Sequence, residues 1–88
     1  MQIEITRKFQ RQVEECRDRR VRSKILSIIE AVASSQSMNG FPNLKKLTGL
    51  KNSYRIRTGD HRIGIVIDYD IVIFAAFDSR SDIYKHFP

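Results

Sequence analysis

Three arginines, Arg55, Arg57 and Arg62, are the residues of this chain best suited to chemistry, and they fall within one stretch, Tyr54 to Asp68, that reads as strand, turn, strand. A guanidinium is a planar fork of donors that matches phosphate geometry and stays charged at every relevant pH. It can therefore hold a phosphoryl group and stabilise negative charge building on it, but it is no practical general base. With Gly59 and Asp60 as turn residues, the period of two in a strand puts Thr58 opposite His61, Arg57 opposite Arg62, Ile56 opposite Ile63, Arg55 opposite Gly64 and Tyr54 opposite Ile65. Tyr54, Ile56, Ile63, Ile65 and Ile67 then share a core face, while Arg55, Arg57, Arg62 and Gly64 share the other. Arginines directly across a ladder repel, at a cost of up to about 1 kcal/mol, so the cluster is easiest to keep where an anion sits on it. Gly64 leaves a hollow among the like charges, as expected where a backbone or ligand comes close. The plainer alternative is a wet sheet face whose charges discourage edge pairing.

The other elements must carry this hairpin. At 88 residues the chain is expected to be one domain, residues 1–88, with a single two-layer core. Gln2–Thr6 alternates and reads as a short strand. Thr6 can cap a helix with the stripe Phe9, Val13 and Cys16, and a second helical pattern from about Arg19 carries Val21, Ile25, Ile28, Ile29 and Val32. Ser34–Pro42 is a polar loop. Asn43–Asn52 brings Leu44, Leu47 and Leu50 as core anchors with Lys45, Lys46 and Lys51 beside the arginine face. After Asp68-Tyr69-Asp70, another tight turn, Ile71–Phe77 is apolar on both faces, as in an interior strand. The tail offers Ile83, Tyr84 and Phe87 as anchors. The expected fold class is α+β: strand, two helices, three strands, with a mostly antiparallel sheet, a helical hairpin on one face and the arginines on the open face.

A net charge of +6 and a pI of about 9.9 point to polyanionic partners: nucleic acid, an acidic protein or an anionic membrane surface. No apolar run approaches the ~20 residues of a membrane span and the first residues resemble no targeting peptide, so the expectation is a cytosolic protein with no membrane association. A lone Cys16 agrees with a reducing compartment and reads as a small core residue. The helices carry Arg11, Arg19, Arg20 and Arg22 among other cations, either a solvated face or a docking surface for nucleic acid. No Cys/His cluster has metal-ligand spacing, so neither a metal nor another cofactor is expected.

Leu47-Thr-Gly-Leu-Lys-Asn-Ser-Tyr-Arg-Ile-Arg, then Gly59-Asp-His-Arg-Ile, then Arg80-Ser-Asp-Ile-Tyr84, resembles the RelE/ParE superfamily of toxins from toxin–antitoxin modules, in the right order over essentially the whole chain. The resemblance implies an mRNA interferase: a metal-independent, ribosome-dependent endoribonuclease cutting mRNA in the decoding site, silenced by an acidic antitoxin in a hetero-oligomeric complex. It implies catalytic roles for Arg55, Arg57, Arg62, Arg80 and Tyr84, with Tyr84 stacking on a base or positioning the nucleophile or leaving group. Lys45, Lys46, Lys51, His61 and the helical arginines are the candidate RNA contacts. Arg55 and Arg57 stand where mRNA-cutting members commonly carry lysine, and Ser79 stands where some carry histidine. The proton shuttle is therefore unassigned, with His61 and His86 the only imidazoles. The alternatives are a ParE-like toxin that inhibits DNA gyrase without a nuclease site, and a relic that only binds its antitoxin or RNA.

Overall fold

The computed structural model describes residues 1–49 and 51–88; Leu50, one of the three expected leucine anchors, lies outside them. The chain runs β1 (Gln2–Ile5), α1 (Arg7–Glu15), α2 (Arg19–Ser34), a 3-10 turn (Met38–Gly40), β2 (Leu44–Lys46), β3 (Ser53–Thr58), β4 (His61–Asp68), β5 (Ile71–Ser79) and a second 3-10 turn (Ile83–Lys85). The fold is α+β, with sheet order β1-β5-β4-β3-β2, and β1 against β5 is its parallel pair. Four strands follow the helices rather than three: Leu44–Lys46 is itself a strand, pairing antiparallel with Tyr54–Ile56.

Local chemistry explains the helix starts. The Thr6 hydroxyl accepts from Phe9 N–H at 3.1 Å, and the Asp18 carboxylate accepts from Arg20 N–H at 2.9 Å, each satisfying a donor that the first turn leaves without a partner. α1 ends one residue short of Cys16, whose backbone closes the helix and whose side chain lies against the core, half-buried.

The β3–β4 hairpin has the five pairings expected from alternation, from Thr58 with His61 to Tyr54 with Ile65. Gly59 has φ +60° and Asp60 does not share the left-handed region, the glycine-first arrangement of a II′ turn whose twist suits two strands. Ile56, Ile63, Ile65 and Ile67 lie in the main core with Phe9, Ile25, Ile28 and Val32 of the helices, and Tyr54 lies half-buried against them. Between β4 and β5 the register slips: Gly64 pairs with Ala76 but Ile65 pairs with Phe74, so Ala75 is the extra residue of a β-bulge. The bulge changes which positions face the helices. Val72 and Phe74 face them before it and Phe77 after it, while Ala75 and Ala76 meet the opposite layer.

That opposite layer changes the expected open face. Ile83 and Phe87 are buried there against Ala76, with Leu47, Val66 and Ala75 around them. A Cβ placed on Gly64 would lie 2.5 Å from Phe87 Cδ2, so the glycine makes room for the tail's own aromatic ring, not for a ligand. Tyr84, expected as a third anchor, is instead 53% exposed.

Candidate active site and nucleic-acid interface

Beside the Phe87 plug the uncovered part of the sheet forms a cleft of about 420 Å³, lined by Lys45, Lys46, Leu47, Thr48, Arg55, Arg62, Arg80, Ser81 and Tyr84. Each element delivers part of it. β2 brings the two lysines to the sheet edge, β3 brings Arg55, β4 brings Arg62, and the turn after β5 brings Arg80. Tyr84 arrives because Ile83 and Phe87 on either side of it are buried, which pins the 3-10 turn and leaves the phenol facing out. No carboxylate lines the cleft. Among the described residues, none of its five cations is in an ion pair with Asp or Glu.

Two of the arginines are held by backbone carbonyls. Arg62 Nη1 donates to the carbonyls of Gly59 and His61, both at 2.9 Å, so the turn itself orients this guanidinium. Arg55 Nη1 donates to the carbonyl of Asn43 at 3.2 Å. A carbonyl takes one donor of the fork and leaves the positive charge intact, which suits a group waiting for an anion.

Of the other residues singled out in the sequence, several lie elsewhere. Arg57 lines a separate depression with Lys24, Ile28, Pro42, Asn43, Thr58 and Gly59, although alternation puts it on the face of Arg55. His61 stacks on Phe77 with ring centroids 5.0 Å apart, and lines a third depression with Gln12, Glu15, Cys16, Asp78, Ser79 and Asp82. Lys51 is exposed but does not line the cleft. Arg19 and Arg20 are exposed at the start of α2, and Arg11 lies with Arg7, Gln10 and Glu14 on the outer side of α1. Arg22 borders an apolar groove of about 190 Å³ formed by Ile5, Phe9, Val13, Ile25, Leu26 and Ile29, where Ile5 is 47% and Leu26 61% exposed. Sequence reading missed Thr48, Ser81 and Asn43. Asn43 has φ +51°, a region that asparagine tolerates better than most residues, and its position just before the Lys45-Lys46 strand was the one available signal.

The tail carries its own electrostatics. Lys85 lies 3.0 Å from Asp82, and its hydrogen bond and charge hold the Asp82 carboxyl below the usual carboxylate range, while Asp82 raises Lys85. His86 Nε2 meets Asp78 Oδ2 at 2.7 Å, and Lys8 donates to the His86 carbonyl at 2.9 Å, tying the tail to β5 and α1. Among the described residues no three His, Cys, Asp or Glu side chains are grouped so as to hold a metal ion, and no helix is long and apolar enough to cross a membrane.

The family model described as "ParE toxin of type II toxin-antitoxin system, parDE" matches residues 3–84. The chain belongs to the RelE/ParE superfamily of toxins. The toxin is 42% identical over 69 residues to Toxin RelE3 of Methanocaldococcus jannaschii, a match covering 77% of this chain and 78% of that one. Its fold superposes on a chain of the RelB–RelE antitoxin–toxin complex from Methanococcus jannaschii with a TM-score of 0.82 and 34% identity, covering 96% of this chain and 98% of that chain. The isolated E. coli RelE toxin shares the fold at a TM-score of 0.66 and 15% identity, over 96% of this chain and 90% of that one. The protein is thus a RelE-like toxin of a type II toxin–antitoxin system.

Proposed function

We propose that this toxin is a metal-independent endoribonuclease that cuts mRNA in the decoding site of the ribosome and so stops translation. The observation that carries the reading is the cleft: five cations, no carboxylate, and an exposed tyrosine in one concavity. RNA cleavage of this kind forms a bond from the 2′-oxygen to the neighbouring phosphorus and breaks the bond from phosphorus to the 5′-oxygen. The 2′-hydroxyl loses a proton and the leaving oxygen gains one. Arg55, Arg62 and Arg80 have the chemistry to hold the phosphoryl oxygens as charge builds on them. Lys45 and Lys46 add charge for the flanking backbone, and Tyr84 gives a base a flat surface to stack on. Gyrase inhibition, the other activity in the superfamily, needs no such cleft.

Brief expression followed by mapping of mRNA 5′ ends tests the reading. New ends within reading frames, absent with Arg62→Ala, are the expected result. Intact mRNA beside broken or poorly supercoiled DNA would overturn it in favour of gyrase.

We further propose an acidic antitoxin as the silencing partner in a hetero-oligomer in the cytoplasm. The net charge of +6 favours an acidic segment, and the groove at Ile5 and Leu26 has the shape and chemistry to receive the apolar side of an amphipathic helix.

A further inference from the structure

We infer that His86 is a positioning residue: it holds the Asp78 carboxylate away from Arg62 and so keeps that guanidinium free for an anion, a consequence for RNA that rests on the proposed reading of the cleft. By register, Asp78 stands directly across the β4–β5 ladder from Arg62, and residues so paired point to the same face of the sheet. Opposite charges in that arrangement ordinarily attract. Here they do not meet. Among the described residues Arg62 has no ion pair, and its Nη1 goes to the carbonyls of Gly59 and His61. Asp78 lines the neighbouring depression with His61, Ser79 and Asp82 instead of the cleft.

Both oxygens of Asp78 are occupied. Oδ1 accepts from the Ser79 N–H at 2.8 Å, and Oδ2 lies 2.7 Å from His86 Nε2. A carboxylate only accepts, so the ring carries a proton on Nε2. The tail brings His86 to this place: Ile83 before it and Phe87 after it are buried, its N–H donates to the Ile83 carbonyl at 3.3 Å, and Lys8 of α1 donates to its own carbonyl at 2.9 Å. The next rung on the same face, Gly64 with Ala76, is the one that Phe87 covers. Two successive tail residues thus engage two successive rungs, one by hydrogen bonding and one by packing. Without His86, Oδ2 has a neighbour with free donors, since Arg62 commits only Nη1 to carbonyls and keeps Nε and Nη2. An Asp78–Arg62 pair would bring a carboxylate to a cleft that has none and offset the charge of one of its arginines.

Two measurements on the full chain test this. The first is the NMR signal of the Arg62 guanidinium, identified by its loss in Arg62→Lys. His86→Ala should shift it and slow the group's rotation, as an ion pair does, and adding Asp78→Asn to His86→Ala should return it towards its wild-type position. The second is fluorescence anisotropy over a salt series with an uncleavable 2′-O-methyl hexaribonucleotide. His86→Ala should weaken binding about ten-fold and lower the log–log salt slope by about 0.7, the value for one single-strand phosphate contact. The double variant should recover most of both, although it carries one more substitution. His86→Gln, which keeps an N–H donor in that place, should restore most of what His86→Ala loses. A thermal melt of each variant confirms folding. A tail that merely comes loose would leave the double variant as weak as His86→Ala or weaker, and that result overturns the inference, as does an Arg62 signal that His86→Ala leaves unmoved. If wild type binds no RNA, the reading of the cleft falls by itself, and the Arg62 signal still decides whether His86 keeps Asp78 from it.

Discussion

Replacing Gly64 with alanine reverses its effect on stability depending on whether Phe87 is present. The new Cβ would meet Phe87 Cδ2 at 2.5 Å and Cε2 and Cγ at 2.6 Å, against the ~3.5–4.0 Å of a relaxed carbon contact. The ring is 5% exposed and closed in by Ala76 and Ile83, so it escapes only by leaving its seat. Losing the burial of one phenylalanine costs about 1.5–3 kcal/mol, and a domain of this size shifts its Tm by about 4–8 °C per kcal/mol. Gly64→Ala should therefore melt about 10 °C below wild type, since about 2 kcal/mol is lost. Once Phe87→Ala has emptied the seat the sign changes, because alanine in a strand interior is better than glycine by about 0.5–1 kcal/mol. The double variant should melt above Phe87→Ala alone, with a coupling of about 2–3 kcal/mol in the cycle. Differential scanning calorimetry of the four proteins measures it. Additive effects, or a Gly64→Ala protein as stable as wild type, would refute the account of Gly64 as the tail's seat and return it to a hollow kept for ligand.

Three further expectations follow from the same geometry. Tyr69 is 94% exposed with φ +55°, so Tyr69→Asn, which tolerates that backbone, should raise the Tm by a few degrees, through about 1 kcal/mol of relieved strain. The carboxyl of Asp82 titrates below its unfolded value of 3.8, so its small stabilising effect is present above that pH and lost as pH falls through the folded pKa. The Tm of Asp82→Asn should accordingly converge on that of wild type in acid, and a fixed gap between them at all pH values would contradict this. Leu26→Glu places a charge in the apolar groove on a side chain already 61% exposed, so it should leave the Tm within a degree or two of wild type while weakening capture by a co-expressed acidic antitoxin at least ten-fold in a calorimetric titration. Unaltered binding would place the antitoxin elsewhere.

What could be read from the sequence followed physical periodicity. A hairpin alternating Tyr-Arg-Ile-Arg with Arg-Ile-Gly-Ile-Val-Ile around a Gly-Asp turn has one register that buries its isoleucines, and that register is the one found. The helices were legible for the same reason, through the stripes at Phe9 and at Ile25, Ile28 and Val32 and through the Thr6 cap, whereas the Asp18 cap of α2 emerged only with the structure. Two features were not. β2 is three residues long, too short for alternation to register, and its pairing with β3 is long-range information. The bulge at Ala75 lies in a run apolar on both faces, where no polar residue marks the change of side. Gly64 shows the limit of composition: a glycine in a strand announces a close approach, but only the fold reveals that Phe87 makes it.

Sorting by face also proved coarser than sorting by site. Arg55 and Arg57 share a face by alternation, yet Asn43, accepting from the guanidinium of one and the backbone N–H of the other, marks the line between two depressions. In a twisted sheet the Arg55 side chain is placed by the carbonyl it reaches, and that carbonyl belongs to Asn43, a left-handed residue with no periodic signature. The cleft depends in the same way on the chain's end. Tyr84 holds its place because Ile83 and Phe87 are buried on the sheet, while the Arg80 N–H donates to the Asp60 carbonyl at 2.8 Å, so the tail's apolar anchors and the hairpin turn together shape the cationic cleft. Loosening Phe87 should disorder the cleft before it costs the fold, since the main core of Phe9, Ile25, Ile56, Ile63 and Phe74 lies on the opposite side of the sheet.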